Sequence, residues 1–345
     1  MKKIAVVFML VATHFVSQAQ NYESKYLYTT KEFKDASPKK ITVTTSHGNI
    51  SVSESPASQT RVEVYVHGNY NGQDLTKDEI QRKLDEYYSI EISLSGDVLN
   101  ASVREKKELP FIQSRLSISF NVYAPKNASS TLKTDHGNID LSGLTGNQEA
   151  VTSHGNIDLD RITGKLTGRT SHGNVSTTDC SNDVDVSTDH GNIMAKNCSG
   201  TIKLLTSSGN LDLSNLKGKV HAGTEHGNVS ANIIVGDLTA STTHGDVRLD
   251  AISGSVDAST DHGNISLKME EIKGHVVLGN VNGNISIELS KGKGLDLDLR
   301  GRRVTVDGMQ NFSGSQSKDL VKGSTNGGGI KVSAKTDKEV SLTFR

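Results

Sequence analysis

From Thr134 onward, apolar and polar residues alternate in short runs, as in Ile157-Asp158-Leu159 and Val256-Asp257-Ala258. A period of two is that of a β-strand with one face buried. The runs themselves recur. Ile139, Ile157, Val175, Ile193, Leu211, Val229, Val247 and Ile265 stand 18 positions apart, and two residues later come Leu141, Leu159, Thr177, Ala195, Leu213, Ala231, Leu249 and Leu267. A further column reads Leu144, Ile162, Cys180, Cys198, Leu216, Ile234 and Ile252, and reaches Ile272 after an insertion around Glu270 and Glu271. No window of this stretch has helical periodicity.

Between the runs stands a polar signature on the same period. His136, His154, His172, His190, Ser208, His226, His244 and His262 are each followed by Gly and then by Asn, or by Asp246. A threonine precedes each by two positions, from Thr134 to Thr260. Asn282-Gly283-Asn284 is a ninth copy displaced by the insertion, His47-Gly48-Asn49 an isolated earlier one, and Asn326-Gly327 a degenerate late one. So short a unit cannot bury its own inner face, but stacked copies share one core. The expectation is an all-β chain, a parallel β-solenoid (β-helix) of 18-residue coils with like residues about 4.8 Å apart. The seven steps from His136 to His262 make it roughly 34 Å long. The crossover rule favours right-handed winding.

The flanks differ in texture. Residues 1–19, MKKIAVVFMLVATHFVSQA, have the charged, apolar and small-residue order of a secretory signal peptide. Residues 20–127 predict a β-rich capping segment with one helix, Thr76 to Tyr88. That helix has a Thr76/Glu79 capping box and apolar Ile80, Leu84 and Tyr87. Strands are expected at Lys40 to Ser53 around the first His-Gly-Asn, at Arg61 to Val66, and at Leu116 to Pro125, with a hairpin around Ser95-Gly96-Asp97. The repeats occupy 128–290, and residues 291–345 supply closing strands that end in EVSLTFR. No later segment reaches about 18 apolar residues, so no transmembrane segment is expected in the mature chain.

Composition narrows the function. The net charge of −1 offers no basic field for nucleic acid or anionic lipid. Tryptophan is absent, glycine numbers 33 and hydrophobic residues make up 34%, which suits a narrow core of Ile, Val, Leu and Thr. No Phe, Tyr or Trp lies between Tyr123 and Phe312, so the repeats have no aromatic platforms for sugars. Asp179, Asp183 and Asp185 are close in sequence, but similar acids recur in outward positions throughout. There is no Gly-x-Ser-x-Gly elbow, no P-loop and no His-Glu-x-x-His. The reading is a non-enzyme without a cofactor, a glycan-active enzyme being the least favoured class.

The His-Gly-Asn tripeptide has a structural reading and a chemical one. In Gly137-Asn138, Gly155-Asn156 and Gly173-Asn174, glycine would supply positive φ and asparagine hydrogen bonds along the stack. Turn chemistry does not require histidine, however. A ladder of His136, His154, His172, His190, His226, His244 and His262, with acids such as Asp135 and Asp261 beside it, could coordinate Zn²⁺, Cu²⁺ or Ni²⁺. It could also charge at mildly acidic pH and loosen the stack. Against a dedicated metal site, such sites have a defined ligand set rather than a uniform ladder. Cys180 and Cys198 share one apolar column, so a disulfide and two buried thiols are both open.

The run VYAPKNASSTLKTDHGNIDLSGLTG and the repeated Thr-Ser-His-Gly-Asn-Ile resemble a bacterial putative-adhesin family of β-strand repeats, a domain of unknown function. The likeness covers roughly Ile41 to the C-terminus. It implies an exported β-solenoid with no assigned catalytic residues. Histidine at the turn departs from the commoner Ser or Asn, so the family does not cover any role of the ladder. The sequence thus points to an exported adhesin-like or envelope interaction protein in the periplasm, at the cell surface or secreted. Its ligand, protein or glycan, is unknown, and nucleic acid is not expected as a partner. The alternative is a metal-binding or pH-responsive envelope protein using the histidines.

Overall fold

A computed structural model describes residues 26–55, 59–107 and 115–345. The expected signal peptide, residues 1–19, lies outside the described residues. Among those residues no helix is long and apolar enough to cross a membrane.

Each 18-residue unit makes one lap of a parallel β-solenoid of about nine turns. In the lap Val229–His244, Val229, Ala231, Ile234, Leu238, Ala240 and Thr242 are buried, and the residues between them face outward. Alternation breaks at Ile233 and Gly236, where φ is 58° and 132°, and the chain bends there. The next lap repeats this residue for residue: Val229 pairs with Val247, Leu238 with Val256 and His244 with His262. The insertion near Glu270 is absorbed as an irregular stretch between Leu249 and Val256, after which Val256 pairs with Val276 and His262 with Asn282.

Glycine at the histidine corner sets how closely laps approach. A Cβ on Gly173 would lie 2.0 Å from the carbonyl oxygen of Gly155, and one on Gly191 would lie 2.0 Å from that of Gly173. The expected positive φ is present at Gly137, Gly227, Gly245 and Gly263, at 151–158°, but not at Gly155, Gly173, Gly191 and Gly209. What the whole column shares is lack of space, since a Cβ on any of these glycines would lie within 2.1 Å of a carbonyl oxygen of the neighbouring lap. The same carbonyls are capped by the threonine column. Thr170 Oγ1 donates to Gly155 O at 2.9 Å, Thr188 to Gly173 O at 2.9 Å and Thr242 to Gly227 O at 2.8 Å. Each buried hydroxyl satisfies a carbonyl from the preceding lap while its methyl joins the core, a net gain of about 1 kcal/mol per bond. Asn280 takes the threonine position in the ninth copy. Its Nδ2 donates to Gly263 O at 2.8 Å, but its buried Oδ1 has no partner.

The ends are built out of sequence order. Lys40–Thr44 and Ile50–Glu54 stack in parallel register on Ser129–His136 and Ile139–Ser142, forming a full coil ahead of the repeats. Val98–Glu105 and Ser117–Ala124 stack on that coil in turn. Antiparallel strands then close the end: Tyr88–Ser95 on Val98–Glu105, Thr60–His67 on Ser117–Ala124, and Tyr26–Phe33 on Thr60–His67. The helix Lys77–Tyr87 has the expected Thr76/Glu79 capping box and buries Ile80, Leu84 and Tyr87. The described strands between Tyr26 and Ala124 therefore extend the solenoid as well as covering its end.

The other end is arranged alike. Ile330–Lys335 and Glu339–Phe344 stack directly on the ninth copy, and Leu295–Arg300 and Arg303–Asp307 stack beyond them. Leu320–Thr325 and Phe312–Gln316 add antiparallel strands outside. Both ends thus replace an open parallel edge and bare core with antiparallel strands.

The glycine layer yields a direct test. Gly173→Ala should cost about 1–3 kcal/mol in urea unfolding, because backbone must move to admit the methyl. Gly279→Ala, whose Cβ would meet nothing nearer than 3.9 Å, should change stability by less than about 0.5 kcal/mol. Equal effects would contradict the packing argument.

Candidate functional site

The strands bring the histidines into one file along a single edge. His47, His136, His154, His172 and His190 form a run of stacked rings, and His226, His244 and His262 form a second. Centroids are 4.7–4.9 Å apart and ring planes diverge by 2–8°. Ser208 separates the runs. All seven predicted ladder histidines are exposed and join a run, and sequence reading missed His47, which extends the first run by one ring. The signal was present: Thr45, Ile50 and Val52 occupy the threonine and apolar columns around His47.

The asparagine after each glycine holds this file in register. Asn156 N donates to Asn138 Oδ1 at 2.9 Å, Asn174 N to Asn156 Oδ1 at 2.9 Å and Asn192 N to Asn174 Oδ1 at 2.8 Å. Hydrogen bonding up the stack is as expected, in the form of a side-chain oxygen accepting from the next backbone N–H. Only the oxygen is required, which explains Asp246: it accepts from Asn264 N at 2.9 Å just as an asparagine would.

The edge is a surface of stacked rings. Parallel imidazoles direct their nitrogens side by side, and among the described residues no group of three His, Cys, Asp or Glu converges to hold a metal ion. Two adjacent rings that were both charged would repel by about 1 kcal/mol in water and about 4 kcal/mol at a partly buried site.

At the first end, Arg115 takes the place of a further ring, its Nη1 3.5 Å from His47 Nε2. A cleft of about 470 Å³ opens there, lined among others by His47, Arg104, Glu105, Arg115, Asp135 and His136. Burial is the main influence holding His47 below the ordinary imidazole value, assisted by Arg115 and His136 and opposed by Glu105 and Asp135.

The remaining candidates do not converge. Asp179 accepts from Asn197 Nδ2 at 2.9 Å, and Asn197 Oδ1 accepts from Asn215 Nδ2 at 2.8 Å, a second ladder at a left-handed corner. Asp185 faces Arg169 at 3.8 Å instead of joining Asp179. Cys180 and Cys198 are buried free thiols, and the disulfide left open by the sequence is not formed. In-register parallel strands point the two Cβ atoms alike, not toward each other. Each sulfur lies near a main-chain carbonyl two residues back, Cys180 Sγ 3.3 Å from Thr178 O and Cys198 Sγ 3.3 Å from Lys196 O. Hydrogen bonding to Cys198, with burial, pushes the Cys180 thiol up.

The family model described as Toastrack DUF4097 matches residues 177–342. No curated protein matches the chain. Among solved structures, a protein of Bacteroides fragilis NCTC 9343 described as a "putative adhesin" is 19% identical. The match covers 76% of this chain and 97% of that one, with a TM-score of 0.35. A "putative adhesin" of Parabacteroides merdae ATCC 43184 is 11% identical over 92% of this chain and 95% of that one, with a TM-score of 0.31. A "putative lipid binding protein" of Parabacteroides distasonis ATCC 8503 is 12% identical over 91% and 96%, with a TM-score of 0.32.

The environment of His47 fixes the sign of a pH effect. Its folded value lies below 6.5, so below that pH the unfolded chain binds more protons than the folded one. Stability should therefore fall as pH drops from about 6.5 through the folded value, and this contribution should level off below it. Asn already occupies the column at Asn282, which makes His47→Asn a conservative probe. The variant should lose less melting temperature than the parent between about pH 7 and pH 5. Identical losses would show that His47 contributes nothing to the acid response.

Proposed function

We propose that this chain, whose residues 177–342 match the family model described as Toastrack DUF4097, is an exported, non-enzymatic interaction protein of the adhesin type. It presents a rigid, repetitive polar surface at the cell surface or in the envelope. The observation that carries this reading is the fixed register of the outward side chains. Successive laps offer the same group at the same place, as with the eight stacked imidazoles and the Asn138 to Asn192 ladder. A rigid array binds many weak contacts at once without ordering its own backbone, which favours avidity over single-site affinity. The charged and apolar order of residues 1–19 supports export.

Two measurements test this. In producing cells the chain should lack residues 1–19 and be removed by protease added to intact cells or to cells with a permeabilised outer layer. An uncleaved protein in the cytosol would overturn the proposal. Deleting residues 219–254, two complete laps, should leave a folded chain with a melting temperature near that of the parent, since each lap contacts only its neighbours. Its retention on isolated envelope fragments of the producing cells should fall at least severalfold. Unchanged retention would argue against display by the array.

A further inference from the structure

The near-neutral chain conceals a separation of charge. Residues 128–290 contain eleven Lys and Arg against nineteen Asp and Glu, a net of −8. Residues 291–345 contain eleven against six, a net of +5. The solenoid is acidic along its length and basic at its C-terminal end.

Strand register places the basic residues on one outer face of that end. Arg300 is paired with Lys335, Asp298 with Lys322, and Asp296 with Lys331. The alternating buried residues of these strands, Leu297, Leu299, Val321, Val332 and Ala334, face the core, so the charged residues face outward together. The two carboxylates within the patch are already engaged. Asp298 accepts from Arg300 Nε at 2.8 Å and from Nη2 at 3.3 Å. Asp296 accepts from Ser324 Oγ at 2.6 Å and from Gly329 N at 3.1 Å. Arg300 chiefly, with Lys322 and Lys331, holds Asp298 below the usual carboxylate range. Among the described residues, Lys322, Lys331 and Lys335 have no carboxylate within the 4.0 Å of an ion pair. Asp298 therefore gathers cations around itself without neutralising them all.

We propose that this face, Arg300, Lys322, Lys331 and Lys335, is a docking surface for an anionic polysaccharide carrying carboxylate or sulfate groups. The inference gives a ligand class to the interaction role proposed above and rests on that reading for its biological setting. The binding itself rests only on the charge geometry of the end. A flat sheet face with cations on strands about 4.8 Å apart suits an extended chain of regularly spaced anions better than a small molecule, which needs a concave site. None of the exposed large apolar residues lies in 291–345, so nothing there would enter a bilayer. Phe312 packs against the core and offers no free ring for stacking on bases. The acidic laps repel a polyanion elsewhere along the molecule, which confines it to the end.

The experiment measures binding of the full chain to polygalacturonate, to heparin and to uncharged dextran, at low and high salt. The expected result is binding to one or both anionic polymers at low salt, none to dextran, and a loss of at least tenfold at high salt. Preference between the two polymers assigns carboxylate or sulfate. Lys322→Gln/Lys331→Gln/Lys335→Gln should bind at least tenfold more weakly with an unchanged melting temperature. The array variant Lys196→Gln/Lys217→Gln/Lys219→Gln should bind as the parent does. Asp298→Asn, which exposes Arg300, should bind more tightly. The proposal is overturned if neither polymer binds at low salt, if the first triple variant matches the parent, or if the array variant weakens binding as much. Vesicles containing phosphatidylglycerol are the third arm, and their preference over both polymers would replace the glycan with a lipid surface. A negative binding result in a chain found outside the cytosol removes this inference alone. A cytosolic chain that binds polymer removes the display role alone.

Discussion

Neighbouring laps can sit at strand spacing only where nothing projects from one backbone into the next. At the histidine corner a carbonyl oxygen of the preceding lap stands 2.0 Å from where a Cβ would be, as at Gly173 and Gly191, so one added carbon forces the backbone apart. Close approach then sets up the other contacts. It brings the threonine hydroxyl to the glycine carbonyl, the asparagine oxygen to the next N–H, and each imidazole over its neighbour. Histidine is the one member of the tripeptide that this packing does not demand, since Ser208 and Asn282 stand in the same file. Its recurrence is the least explained by folding and the most open to a surface role.

What could be read in advance follows from the range of the interactions. Strand spacing, period, the helix at Thr76 and the hairpin at Gly96 are local, and each appeared where the residues placed it. The role of His47 needed contact between residues 89 positions apart, and only the matching Thr45, Ile50 and Val52 hinted at it. Stacking of Val98–Glu105 outside Lys40–Thr44, and of Ile330–Lys335 inside Leu295–Arg300, reverses chain order. No periodic pattern within those segments signals such a reversal. The second corner was equally silent, because Asn197, Asn215 and Ile233 adopt left-handed backbone without a glycine to mark it. Ile233, β-branched and exposed in that conformation, is a strained exception that the neighbouring laps tolerate.

A stack with this register behaves as a scaffold whose outward columns vary independently of its inward ones. Asp135, Ser153 and Glu225 vary the edge while the core column of Ile139, Ile157 and Val229 stays Ile, Val or Leu. Charge can therefore be distributed along the axis without disturbing the fold, acidic over the laps and basic at one end. Such a division suits a molecule that meets its surroundings at one end and along its sides by different chemistry.

The central claim is that eighteen residues advance the chain by one strand spacing along a common axis. Electron-spin distances between nitroxide pairs, in a background with Cys180 and Cys198 replaced by alanine, measure that advance directly. Labels at Ser153 and Glu225 span four laps and should lie about 19 Å apart, and labels at Ser153 and Asp261 span six and should lie about 29 Å apart. Narrow distributions at these values, rising in proportion to the number of laps, are the predicted result. Broad distributions, or separations that do not scale with the count of laps, would contradict the stacked register and every side-chain file built on it.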